Sequence, residues 1–126
     1  MKLGIFGGTF NPPHMGHVTM ARAAVEQLSL DKLLVIPTNI SPHKAMAEDS
    51  PSPESRLEMV RLCLQDVPGA QACDIELRRE GPSYTWQTIR QLKEAYPHAE
   101  LVLLMGTDMF LSFHTWRNPQ IILENA

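Results

Sequence analysis

The chain has 126 residues, 44% hydrophobic and 20% charged, which suits one ordinary globular domain with a buried core and excludes a disordered or fibrous chain. Eleven Lys and Arg stand against 14 Asp and Glu for a net charge of -3, so no global basic field gathers nucleic acid or an anionic membrane surface. The longest unbroken apolar run, Leu101 to Met105, is far short of the roughly 20 residues that cross a bilayer, so neither nucleic acid nor membrane is an expected partner. The opening Met1 to Phe10 meets two glycines early and does not resemble a secretory signal, which points to a cytoplasmic protein. Cys63 and Cys73 are too few for a disulfide framework and read as reduced packing residues.

In chain order, Lys2 to Phe6 reads as a short strand broken by Gly7-Gly8, and Val18, Ala21, Val25 and Leu28 then recur at helical spacing. Leu33 to Ile36 is a second apolar run stopped by Pro37, followed by a polar, Pro-rich loop to about Pro53. Ser52 is placed to cap a helix with Pro53 in its first turn and Leu57, Val60 and Leu64 as its buried stripe, ended by Pro68-Gly69. Ala72 to Leu77 reads as a strand, Arg78 to Gly81 as a turn, and Ile89, Leu92 and Tyr96 as the apolar face of a third helix stopped before Pro97. Leu101 to Met105 reads as a fully buried strand. Strands alternating with helices across short connections predict one α/β domain over 1–126, with a Rossmann-like parallel sheet and flanking helices. Ligands in such sheets bind beyond the carboxyl ends of the strands, near the point where strand order reverses.

The chemistry concentrates after the first strand, in Gly7-Gly8-Thr9-Phe10-Asn11-Pro12-Pro13-His14-Met15-Gly16-His17. Glycines here let the amides of Gly8, Thr9 and Phe10 approach a phosphate, and the following helix start adds donors and a favourable dipole. The segment is neither the G-x-G-x-x-G dinucleotide fingerprint nor a Walker loop. His14 and His17, three residues apart, can turn their imidazoles toward one bound group near a helix start. Zinc is the rival ligand for the pair, but neither cysteine falls at a paired ligand spacing.

These residues resemble the H-x-G-H nucleotidyltransferases, and among them the bacterial nicotinate mononucleotide adenylyltransferases. The stretch from Gly7 to His17 is similar to that family's opening motif, with Asn11 where many members carry Asp. Ser41-Pro42-His43-Lys44 is similar to the loop usually written P-P-H-K, and Arg79-Glu80-Gly81-Pro82-Ser83-Tyr84-Thr85 to the substrate-recognition segment. Gly106-Thr107-Asp108 and Thr115-Trp116 resemble two further signatures. The resemblance implies transfer of AMP from ATP to nicotinate mononucleotide, with His14, His17 and Lys44 as the catalytic group. It implies that Gly8, Thr9, Phe10, His17, Gly106 and Asp108 hold ATP and that Tyr84, Thr85 and Trp116 hold the pyridine nucleotide. Thr85 reads equally as a helix cap, and Asp108 either as the cap of a short helix that starts there or, the commoner role at this place, as a carboxylate that accepts from a ribose. Magnesium is expected to accompany ATP through phosphate oxygens, with no protein cage of carboxylates. The family's later I-S-S-T-x-I-R type motif, which helps hold the ATP phosphates, is not found here, so the resemblance implies a C-terminally incomplete domain. The alternatives are a relative that acts on another phosphate substrate and a non-catalytic nucleotide-binding module; a homo-oligomer is compatible with all three.

Overall fold

A computed structural model describes residues 1–8, 10, 15–38, 52–78, 84–104 and 119–126. Its elements are β1 (Lys2–Gly8), α1 (Met15–Gln27), β2 (Lys32–Pro37), α2 (Pro53–Cys63), β3 (Ala70–Ala72), α3 (Thr85–Ala95), β4 (Glu100–Leu104) and α4 (Pro119–Asn125). Among the described residues the strands form one parallel sheet in the order β3-β2-β1-β4. The chain builds outward from β1 through β2 to β3, then returns to lay β4 on the other side of β1. Strand order therefore reverses at β1, and in such sheets a ligand binds beyond the carboxyl ends of the strands at that point, here β1 and β4.

Period-two alternation assigns the strand side chains to two cores. Leu33 and Val35 join Phe6, Val18, Ala21, Val60 and Leu64 on the face covered by α1 and α2. Leu34 and Ile36 join Leu3, Ile5, Ile89, Leu92 and Ile122 on the face covered by α3 and α4. A strand apolar on both sides is what a helix-covered parallel sheet requires. Ser52 caps α2 as expected, its hydroxyl accepting from the Ser55 amide at 3.1 Å. Cys63 and Cys73 are free thiols, each half-buried against one of the cores. No helix among the described residues is long and apolar enough to cross a membrane.

Several boundaries differ from the sequence reading. The third strand is Ala70–Ala72 rather than Ala72 to Leu77. After the Cys73 amide bonds to the Val35 carbonyl, the chain turns, and Leu77 and Arg78 both donate to the Asp74 carbonyl. Cys73 and Ile75 still reach the core from this turn, so their apolar alternation records packing without strand pairing. Gly7 and Gly8 belong to β1, paired in register with Ile36 and Pro37, instead of breaking it. In α1 the buried positions are Val18, Ala21 and Ala24, while Leu28 lies beyond the helix end and is exposed. In α2 the stripe runs through Arg56, Val60 and Leu64, and Leu57 is only half-buried. Strand β4 pairs with β1 alone among the described strands, so Leu101 is buried but Val102, Leu103 and Leu104 are half-buried.

Candidate active site

The end of β1 and the start of α1 set the first half of the site. Phe10 is 3% exposed and adopts φ 49°, a left-handed backbone that costs a non-glycine residue about 1 to 2 kcal/mol. Burial of its ring holds that turn. The Phe10 ring stands edge-on to Phe6, with centroids 5.4 Å apart, and edge-on to the His17 imidazole at 4.8 Å. Gly8 has a packing reason to lack a side chain, because a Cβ there would come within 3.3 Å of two Phe10 ring carbons. The Gly8 carbonyl accepts from the Thr38 amide at 2.9 Å, which ties the ends of β1 and β2 together. His17 lies in the first turn of α1, half-buried, and that turn carries no acidic residue. Its position is thus at the helix start, beside the carboxyl end of β1, where a phosphate gains both donors and dipole.

A second candidate segment lies at the start of α3. Tyr84 occupies the N-cap position with extended backbone and no side-chain capping bond. Thr85 is therefore the first helical residue and not the cap. The amides of Gln87 and Thr88 donate back to the Tyr84 carbonyl at 3.2 and 3.4 Å. Helix geometry leaves the Thr85 and Trp86 amides with no intrahelical acceptor. The first turn of α3 has no acidic residue either, so no side chain of that turn competes with an incoming anion for the positive end of the helix.

Thr9, His14, Lys44, Gly106, Asp108 and Trp116 lie outside the described residues. The strand leading toward Gly106 and Asp108 does place them in sequence just past Leu104, whose register partner is Phe6. Among the described residues no three His, Cys, Asp or Glu side chains come together to hold a metal ion.

Sequence reasoning missed two buried polar features. Glu76 and Thr88 are 5% and 1% exposed, and the Thr88 hydroxyl donates to Glu76 Oε2 at 2.8 Å. This bond pins the turn after β3 to the first turns of α3, fixing where Tyr84 and Thr85 stand. Its signal was weak, an acid flanked by Ile75 and Leu77 but close to Asp74 and Arg78. Arg56 is fully buried at the head of the α2 stripe. Burial pulls its guanidinium below the ordinary value, against the opposing charge of Glu54. The signal there was the spacing, since Arg56 is four residues before Val60 and eight before Leu64.

The sequence pattern of the cytidylyltransferase-like family matches residues 5–126. A relative from Shewanella sp. strain MR-7, named a probable nicotinate-nucleotide adenylyltransferase, is 42% identical over all of this chain and 58% of its own length. One of the same name from Desulfatibacillum aliphaticivorans is 44% identical over all of this chain and 57% of its length. The chain thus spans under two thirds of these relatives. A crystal structure described as a nicotinate-nucleotide adenylyltransferase from Vibrio parahaemolyticus superposes with a TM-score of 0.77 at 26% identity, over 99% of this chain and 70% of that one. The nicotinic acid mononucleotide adenylyltransferase of Plasmodium falciparum complexed with NaAD shares the fold, with a TM-score of 0.83 at 17% identity over 98% of this chain and 61% of that one. With a sheet that reverses at β1, a glycine-ended strand feeding the His17 helix, and a family pattern running from Ile5 to the last residue, the chain belongs to the cytidylyltransferase-like family.

Proposed function

We propose that this single domain carries the nucleotide sites of a nicotinate-nucleotide adenylyltransferase, which transfers AMP from ATP to nicotinate mononucleotide and releases pyrophosphate. The observation that carries the reading is the position of His17, in the first turn of α1 against the end of β1, at the point where strand order reverses. The names of the relatives at 42% and 44% identity support the choice of reaction.

The nucleophile is a phosphate monoester whose second pKa is about 6, so it is already ionised at neutral pH. No general base is needed, and catalysis reduces to aligning two anions and stabilising the charge that moves onto the leaving pyrophosphate. In this reading the amides of Gly8, Thr9 and Phe10 and the side chains of His14, His17 and Lys44 receive the ATP phosphates. Gly106 admits the nucleotide closely and Asp108 accepts from its ribose. The free amides at the start of α3, beside Tyr84 and Thr85, seat the nicotinate carboxylate, and Trp116 stacks on the pyridine. Magnesium bound with ATP would supply neutralisation of phosphate charge, held through the phosphate oxygens. The protein works in the cytoplasm, on small nucleotides rather than nucleic acid or membrane, and a homo-oligomer is consistent with this role.

Calorimetric titration of the chain with nicotinate mononucleotide, pantetheine phosphate, choline phosphate and glycerol phosphate tests the substrate. Nicotinate mononucleotide is expected to bind most tightly. Tighter binding of any of the other three would overturn the assignment in favour of another member of the superfamily.

A further inference from the structure

We propose that the Phe10 side chain is a positioning residue for His17, an inference that rests on the reading of His17 as a phosphate-binding group. The Phe10 ring is wedged between two neighbours. On one side a Cβ on Gly8 would meet its Cε2 and Cζ at 3.3 Å. On the other side the His17 imidazole lies 4.8 Å away, inclined at 73°. Phe6 closes the group, 5.4 Å from Phe10 and 6.2 Å from His17. Edge-on contacts of this kind favour one mutual orientation of the rings.

An imidazole on an exposed first helical turn would sample several rotamers and would have to be ordered when the phosphate arrives. Here the buried Phe10 ring, 3% exposed, narrows that choice beforehand, and preorganised donors are the ones that act on developing charge. The space around the group shows what the ring prevents. Phe10 and His17 border a small apolar cavity lined also by Val60, Cys63 and Leu64. With the Phe10 ring gone, the imidazole has apolar room to turn into, away from the end of β1. The left-handed backbone at Phe10, φ 49°, fits the same purpose. Glycine would adopt that turn without strain, but glycine has no ring to set against His17.

The test uses Phe10→Leu, which keeps an apolar side chain, and Gly8→Ala, whose new Cβ must displace the ring without touching His17. The first readout is the pair of His17 Cε1–H and Cδ2–H resonances in a carbon-correlated spectrum, assigned through His17→Ala. Both variants are expected to shift them while the methyl signals of Leu34 and Ile36, on the opposite face of the sheet, stay in place. The second readout is pyrophosphate release from ATP and nicotinate mononucleotide. Phe10→Leu is expected to lower kcat about tenfold, equivalent to about 1.4 kcal/mol, with KM for nicotinate mononucleotide unchanged. The Phe10→Leu, His17→Ala double variant is expected to be no slower than His17→Ala alone. Unmoved His17 resonances in both variants, or an undiminished effect of Phe10→Leu once His17 is gone, would overturn the proposal. If the unaltered protein released no pyrophosphate in response to nicotinate mononucleotide, the proposed function would fall, and the resonances would still decide whether Phe10 holds His17.

Discussion

Deleting a single backbone donor at the start of α3 offers a direct probe of whether that helix start selects an acid over an amide. Nicotinate mononucleotide brings a carboxylate where nicotinamide mononucleotide brings a neutral group whose NH₂ is itself a donor. The Thr85 and Trp86 amides can only donate, and the first turn of α3 supplies neither a capping side-chain bond nor an acid. Charge-assisted hydrogen bonds are worth about 1.5 to 3 kcal/mol, and each 1.4 kcal/mol is about tenfold in affinity, so preference for the acid should be about 10- to 100-fold. Thr85→Pro removes one of the two amides at a helix position that tolerates proline. The residue before it, Tyr84, already has the extended backbone, φ -109° and ψ 130°, that a following proline demands. Calorimetric titration with both nucleotides should show the acid weakened about tenfold by Thr85→Pro and the amide nearly unaffected, with Thr85→Ala as the control that keeps the N–H. Equal affinity of the unaltered chain for the two nucleotides, or equal weakening of both by Thr85→Pro, would refute the carboxylate seat.

Ile89 is fully buried between α3 and the sheet, so Ile89→Ala should cost about 2 to 5 kcal/mol in urea unfolding; a loss under about 1 kcal/mol would mean that the neighbours collapse into the space. Thr88→Val removes the hydroxyl that donates to buried Glu76 and should cost about 1 to 3 kcal/mol, whereas unchanged unfolding would show that Glu76 does not depend on that bond. Burial, reinforced by the nearby Asp74 and Glu76 charges, raises the Cys73 thiol above its ordinary value. Its folded pKa therefore exceeds its unfolded one, so the stability it contributes is present below the ordinary thiol range and is lost as pH rises through that range. Cys73 should accordingly alkylate slowly at pH 8 in the folded protein and at ordinary speed once unfolded, as mass spectrometry of the labelled peptide would record.

The sheet was legible in the sequence because both faces of it are buried. A run such as Leu33 to Ile36, only four residues long, with two β-branched residues and stopped by Pro37, reads as a strand covered by helices on each side. The third strand was misplaced because Cys73 and Ile75 reach the core from a turn, and side-chain alternation alone does not separate the two cases. The place of β4 beside β1 depends on strand order, which no local pattern encodes. Of the candidate site, the strand-to-helix order around the glycines was legible, and the structure places Gly7-Gly8 at the end of β1 and His17 in the first turn of α1. The packing of Phe10 on Gly8 and His17 was not, since it follows from a left-handed backbone at a residue type that seldom adopts one. Arg56 and Glu76 escaped because each has charged neighbours in the sequence, Glu54 and Glu58 for the first and Asp74 and Arg78 for the second, and so reads as part of a solvated stretch until burial shows it to be part of the core.

The measurement that bears most directly on the central claim is phosphorus NMR of ATP, magnesium and nicotinate mononucleotide mixed with the protein and with His17→Ala. Pyrophosphate and the dinucleotide are expected to form together and only when both nucleotides are present, slowly in this chain, whose sequence lacks the I-S-S-T-x-I-R type motif that helps hold the ATP phosphates. The rate should fall about 10²- to 10³-fold on loss of the imidazole, the range for one donor to developing charge. Stability should drop by only about 1 kcal/mol from the lost ring contacts. Pyrophosphate formed at the same rate without nicotinate mononucleotide, or at the same rate by His17→Ala, would contradict the account.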